Sequence, residues 1–232
     1  MKLDTAAARA SILQRIRARQ GRQADAVAAE QAEIDAYLAA HPAGPRPSVP
    51  SDLRQHFRAM AERMASTVDE VPTENEAPQA VARYLAAQAL QPRVVIWPTL
   101  AHLNWVGAGI TAEARAPRRD ETNGADLVGV TGCYCALAET GTLVLLSGAQ
   151  TIASTHLLPE THIAIVAKSR IVAGMEDAFA LMRAERGETD HMMPRAINMV
   201  SGPSRTGDIE QTIVLGAHGP YRVHIIITQS DQ

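Results

Sequence analysis

The chain has 232 residues, of which 46% are apolar and 20% charged, with a formal net charge of −3 and a pI near 6.2. That balance suits a globular chain able to bury a sizeable core, with room for one domain and a helical extension. It does not call for the basic surface of a nucleic-acid binder, and no apolar run reaches the ~18 residues of a membrane span.

Residues 4 to 40 are dense in Ala, lack Pro, and read as helical, with Gly21 as a break between two pieces. The first piece carries Arg9, Arg15, Arg17, Arg19 and Arg22, and the second carries Asp25, Glu30, Glu33 and Asp35. A thin apolar stripe (Ile12, Leu13, Ile16, then Val27, Ile34, Leu38) fits either an arm that docks on a neighbour or a solvated helix resting on its own domain. The start has no uninterrupted apolar segment of the kind a signal peptide needs, and its acids set it apart from a transit peptide. The expected location is the cytoplasm.

Pro42, Pro45, Pro47 and Pro50 then impose a stiff, non-helical linker. The expected division is therefore a helical arm and linker over 1–50 and a second domain over 51–232. A helix follows with Ser51 as its expected N-cap, because Leu53, Phe57, Met60 and Met64 share one face. Another helix is expected within 74–90, capped by Thr73 with Glu76 or by Asn75, with Val81, Tyr84 and Leu85 buried.

Beyond Pro92 the pattern changes to short β-rich runs, at 93–97, 127–130, 142–146, 162–167, 196–200 and 223–228, with a helix near 175–185. Several of these runs are continuously apolar rather than alternating. Such strands suit a sheet covered on both faces, and helices between them give an α/β layered fold with much parallel pairing. The two cysteines, Cys133 and Cys135, sit one residue apart. A bridge across the single residue between them would be strained, and two thiols do not complete a four-ligand iron–sulfur site. They read as small, reduced core residues.

Three motifs offer chemistry. Ala138 to Thr142 (AETGT) precedes an apolar strand; Glu139 is a candidate base, nucleophile or acceptor, and Thr140, Gly141 and Thr142 supply hydroxyls and a tight turn. The plain alternative is a β-turn whose polar side chains satisfy local backbone. Ser201 to Glu210 (SGPSRTGDIE) follows another strand. Ser201, Gly202, Ser204, Arg205, Thr206 and Asp208 are candidate ligand-binding residues, on the expectation that the loop leads into a helix N-terminus that holds an anion. Asp208 and Glu210 could instead cap that helix or pair with Arg205. Gly216 to Pro220 (GAHGP) places His218 between small residues, as a candidate acid or base or as an ordinary turn histidine. Trp105 is a candidate pocket wall or core residue, and His224 a packed strand residue. No HExxH or comparable spacing calls for a metal.

Taken in order, AETGTL, the strand near HIAIV, SGPSRTGDIE, GAHGP and VHIII resemble the LUD-domain family around lactate utilisation protein C. The resemblance is strongest over 126–228 and extends to 51–228. It implies a layered sheet like that of the NagB, ribose-phosphate isomerase and coenzyme A transferase group, with helices on both faces, preceded here by the helical extension. It implies a subunit of a bacterial system that oxidises L-lactate to pyruvate. On that view the chain binds no cofactor of its own and iron–sulfur clusters reside in partner subunits. It also implies one pocket for Glu139, Thr140, Gly141, Thr142, Ser201 to Asp208 and His218, suited to a small anion, with Glu139 and His218 as the catalytic candidates. Two other functions stay open: a stand-alone enzyme of coenzyme A transferase-like fold with Glu139 as nucleophile, and a scaffold with a vestigial pocket. Self-association also remains open.

Overall fold

The computed structural model describes residues 5–21, 26–40, 42, 44–120, 124–186, 193–209 and 212–230. The chain divides into two units, Met1–Arg46 and Pro47–Gln232. The first holds α1 (Ala6–Gln20) and α2 (Ala26–Ala40). Gly21 closes α1 in the left-handed region at φ 60°, as its position predicts. Leu13 and Glu30 are half-buried; the other residues of these helices whose burial is described are exposed.

The second unit begins with an extended Pro-rich segment and α3 (Leu53–Arg63). Asp52, not Ser51, caps α3, its Oδ1 accepting the Gln55 N–H at 3.0 Å. A carboxylate at that position also complements the positive end of the helix dipole. Helix α3 ends in a tight reversal: Ala65 takes φ 66°, while Ala65 N–H and Ser66 N–H donate back to the carbonyls of Glu62 and Ala61. Next come β1 (Thr67–Val71), a single 3-10 turn at Glu74–Glu76, and α4 (Ala77–Ala87). Neither Thr73 nor Asn75 caps α4, because the 3-10 turn intervenes and puts Glu76 at the helix start; Pro78 occupies the first turn, where its missing N–H costs nothing.

The remaining elements are β2 (Arg93–Ile96), β3 (Thr111–Ala114), β4 (Arg119–Asp120), β5 (Gly124–Ala125), β6 (Val128–Thr131), β7 (Cys135–Leu137), β8 (Thr142–Leu146), α5 (Ser154–Leu157), β9 (Thr161–Ala167), β10 (Ile171–Val172), α6 (Met175–Arg186), β11 (Ile197–Val200), β12 (Arg205–Ile209), β13 (Thr212–Leu215) and β14 (Arg222–Thr228). Six strands form the main sheet in the order β1-β14-β9-β6-β2-β3, every pair parallel. Its central strands are buried almost throughout, as their continuous Ile and Val runs require. Helices α3, α4 and α5 flank it. The architecture is α/β, as expected from the alternation of apolar runs and helices.

A second sheet, β10-β7-β8-β11, mixes parallel and antiparallel pairs. Its period-two alternation assigns each face. Ala136, Ala138, Leu143 and Leu145 enter the main core, whereas Cys135, Leu137, Val144 and Leu146 pack with Ala178 and Met182 of α6. Cys133 precedes β7 and packs on the main core, whereas Cys135 lies within the strand and in the other cluster. Both are free, and burial holds both above the ordinary thiol range, Cys135 at about 11. Among the described residues, no helix is long and apolar enough to cross a membrane.

Candidate functional site

The AETGT turn links β7 to β8, and Gly141 sits in it at φ 67°. A Cβ there would come within 2.3 Å of Ala61 N and 2.5 Å of the Met60 carbonyl carbon, so α3 lies directly on the turn. The hydroxyls on either side form a chain: Thr140 Oγ1 to Thr142 Oγ1 at 2.7 Å, and Thr142 Oγ1 to Ser201 Oγ at 2.6 Å. Thr142, the middle member, is buried, whereas Thr140 and Ser201 are exposed, so both ends of the chain reach the surface.

The SGPSR loop meets the same end of α3. Gly202, at φ 79°, lies so close to the Met64 carbonyl that a Cβ would approach its oxygen to 2.1 Å. Arg205 Nη2 donates to that same oxygen at 2.9 Å. The guanidinium therefore sits at the negative end of the α3 dipole and satisfies a carbonyl that α3 leaves unpaired. Ser204 ties the third motif in, because its N–H donates to Pro220 O and its carbonyl accepts from Gly216 N–H, both at 2.9 Å. Its side chain lies against Gly219. His218 is exposed within this loop.

One expectation fails here. The loop does not open a helix: Arg205–Ile209 is β12, paired antiparallel with β13, so Thr206 and Asp208 belong to a strand. Among the described residues, this loop leads into no helix N-terminus that could hold an anion. Thr and Asp are residues a helix start favours, but here the alternation of RTGDI with TIVL forms a ladder instead. Glu210 lies outside the described residues. Glu139 also points elsewhere. Its N–H donates to Ala173 O, and its carboxylate lies against Gly174, beside Glu176 and Asp177 at the start of α6. The structure thus brings Thr140, Gly141, Thr142, Ser201, Gly202 and Arg205 together around α3, with Ser204 joining them to the His218 loop. The Glu139 carboxylate faces the start of α6.

A separate feature carries no sequence motif. A cavity of about 630 Å³ opens where β2, β6 and β8 end, lined by residues that include Glu74, Trp97, His102, Cys133, Ser147 and Gln150. Of these only Cys133 was singled out from the sequence. The available signal was positional: Trp97, Gly132 and Ser147 each follow the last residue of a strand. Among the described residues, no group of three or more His, Cys, Asp or Glu is placed to hold a metal ion.

The geometry can be set beside known proteins. The model of the LUD domain matches residues 54–228. Lactate utilization protein C of Bacillus licheniformis is 37% identical over 133 residues, covering 57% of this chain and 53% of that protein. The protein of that name from Geobacillus sp. (strain WCH70) is 44% identical over 102 residues, covering 44% of this chain and 42% of its own length. The matched segment thus spans about half the length of these curated relatives. The crystal structure of a DUF162 family protein from Deinococcus radiodurans superposes with a TM-score of 0.54 at 23% identity, over 78% of this chain and 99% of that one, a likeness of fold. With the family model matched from α3 through the last strand, the chain belongs to the LUD-domain family.

Proposed function

We propose that the chain serves lactate utilisation as a subunit that carries no iron–sulfur cluster and works beside partner subunits that do. In this reading residues 1–50 are an arm and linker, and 51–232 are the LUD domain. The relatives named lactate utilization protein C support the pathway assignment. The observation that favours a ligand site is the chain of hydroxyls Thr140–Thr142–Ser201 ending at the surface near Arg205. Each hydroxyl both donates and accepts, so the chain can turn a donor outward to a small carboxylate. Arg205, anchored through Nη2, has further N–H groups for the same anion. His218 would exchange a proton there. The rival role for Glu139, as an acyl-forming nucleophile on coenzyme A thioesters, gains no support from its place among Glu176 and Asp177.

The test is capture of the native complex, with L-lactate oxidation assayed on the complex and on the chain alone. Co-purifying iron–sulfur proteins and activity only in the complex support the reading. Activity of the isolated chain, or a complex that oxidises lactate equally well without it, would overturn it. For the ligand site, Arg205→Ala and His218→Ala are compared for lactate and pyruvate binding, with Glu139→Gln as the control outside it; undiminished binding in both site variants rejects the site.

A further inference from the structure

The cavity at the ends of β2, β6 and β8 lies apart from the hydroxyl chain. Thr142 begins β8 and Leu146 ends it, a separation of roughly 13 Å at ~3.3 Å per residue. Its position has a topological cause. The chain runs from β2 outward to β3, then returns to place β6 on the other side of β2. The connections therefore diverge at the β2–β6 boundary and leave a crevice beyond the carboxyl ends of these strands, the usual place for ligands in an open parallel sheet. At about 630 Å³ it is a solvent-open cleft large enough to hold a small organic molecule.

The lining narrows the chemistry. Trp97, Leu100 and Leu146 give an apolar floor. Trp97 is fixed by its Nε1–H bond to Ile152 O at 2.9 Å, and its Cε3–Cζ3 edge lies toward Gly132. An indole edge is electropositive and favours the π-face of a second ring. At the rim the Glu74 carboxylate lies 3.5 Å from His102 Nε2, offering an acceptor for an N–H. None of the described lining residues is Lys or Arg, and the His102 ring already faces Glu74, so a phosphate meets no permanent positive charge here. We infer that this cavity binds an uncharged, unphosphorylated heteroaromatic ring, its face on the Trp97 edge and a ring or exocyclic N–H on Glu74.

Gly132 provides the test, because a side chain there meets only the Trp97 ring, at 3.7 Å, and its φ is not in the left-handed region. Calorimetric titration of the full chain with adenine, nicotinamide and lumichrome is expected to give saturable binding for at least one of them. Adenosine monophosphate should bind at least tenfold more weakly than adenine if adenine is the ring accepted. Gly132→Leu, whose side chain covers the Trp97 edge on which the ring would rest, should abolish binding with an unchanged circular dichroism spectrum; Gly132→Ala should retain it. Glu74→Gln should weaken it about tenfold. Absence of binding by all three rings up to millimolar concentration, full binding by a folded Gly132→Leu, or equal binding of adenine and its monophosphate would each overturn the proposal.

Discussion

The hydroxyls of Thr142 and Ser201 lie 2.6 Å apart although 59 positions separate them in the chain. They join the turn before β8 to the loop after β11, the two antiparallel neighbours at one side of the second sheet. Thr142→Val keeps the shape and removes the bond, leaving the Ser201 hydroxyl to water. Its expected cost is about 1–2 kcal/mol in denaturant unfolding, with Ser201→Ala at about 1 kcal/mol. The double variant should cost less than the sum, and strict additivity would mean the bond contributes nothing.

Gly141 and Gly202 are irreplaceable for two reasons at once. Both adopt positive φ, and at both a Cβ would collide with the backbone of α3 or its C-terminal end, which no rotamer change can relieve. Either glycine changed to Ala should destabilise by about 3 kcal/mol or more. Gly207, with nothing within 4 Å of a Cβ, is the control, and Gly207→Ala should shift stability by less than about 1 kcal/mol. Equal effects at the three sites would contradict the packing of α3 on the two motifs.

Three buried histidines make the fold sensitive to acid. Burial pushes His156 and His224 down to about 4; burial, then the neighbouring His156, pushes His162 down to about 3. As pH falls, the unfolded chain takes up protons near its ordinary value of 6.5, while the folded chain resists. The histidine contribution to stability is thus fully present above about pH 6.5 and drains as pH drops toward 4, at up to about 1.4 kcal/mol per pH unit per group. Both ring nitrogens of His156 are buried without a partner, so His156→Phe should lower the midpoint of acid unfolding and flatten its approach. An unchanged acid midpoint would show that His156 is not a source of the sensitivity.

Arg115 grips Asp126 with two bonds, Nη1 at 2.7 Å and Nη2 at 3.1 Å, and the Arg118 N–H adds a third at 2.7 Å. The Arg115 guanidinium, ahead of the Arg118 N–H, holds the Asp126 carboxyl below the ordinary range. Asp126→Asn should cost about 1–2 kcal/mol, because it removes the charge of the less exposed of the two carboxylates on Arg115 while Glu113 keeps its 2.7 Å bond to Nε. Thermal unfolding at low and high salt checks it. A loss that vanishes in salt would mean the pair behaves as a surface one.

Most strands the sequence reveals are buried on both faces; half-buried β11 is also legible, whereas buried β7 is too short to register. β8, β9 and β14 each hold a run of Val, Ile, Leu or Ala, and their limits match the apolar runs within a residue. β1 escapes that criterion because TVDEV is an edge strand. Its acids are satisfied from the side: Glu70 by Arg54 and Arg58, Asp69 by Arg83. TAEA of β3, at the opposite edge, hides for the same reason. RTGDI was misjudged because its residue types suit a helix start as well as an edge hairpin, and only its pairing with β13 decides. The candidate motifs were legible as motifs, but the part α3 plays was not. Nothing local tells Gly141 and Gly202 that the end of a helix some 80 and 140 positions away will rest on them. The cavity was invisible for a similar reason, since its walls are single residues after separate strands.

The pairing of β1 with β14 also bears on the order of assembly. β1 opens the main sheet and β14 is its last strand in the chain, with Thr67 opposite His224. During synthesis β1 must wait with its pairing edge open until nearly all the body has been made. β14 in turn is clamped between β1 and β9. The sheet therefore closes last at the place where its sequence separation is greatest, and a slow final folding phase should belong to that closure.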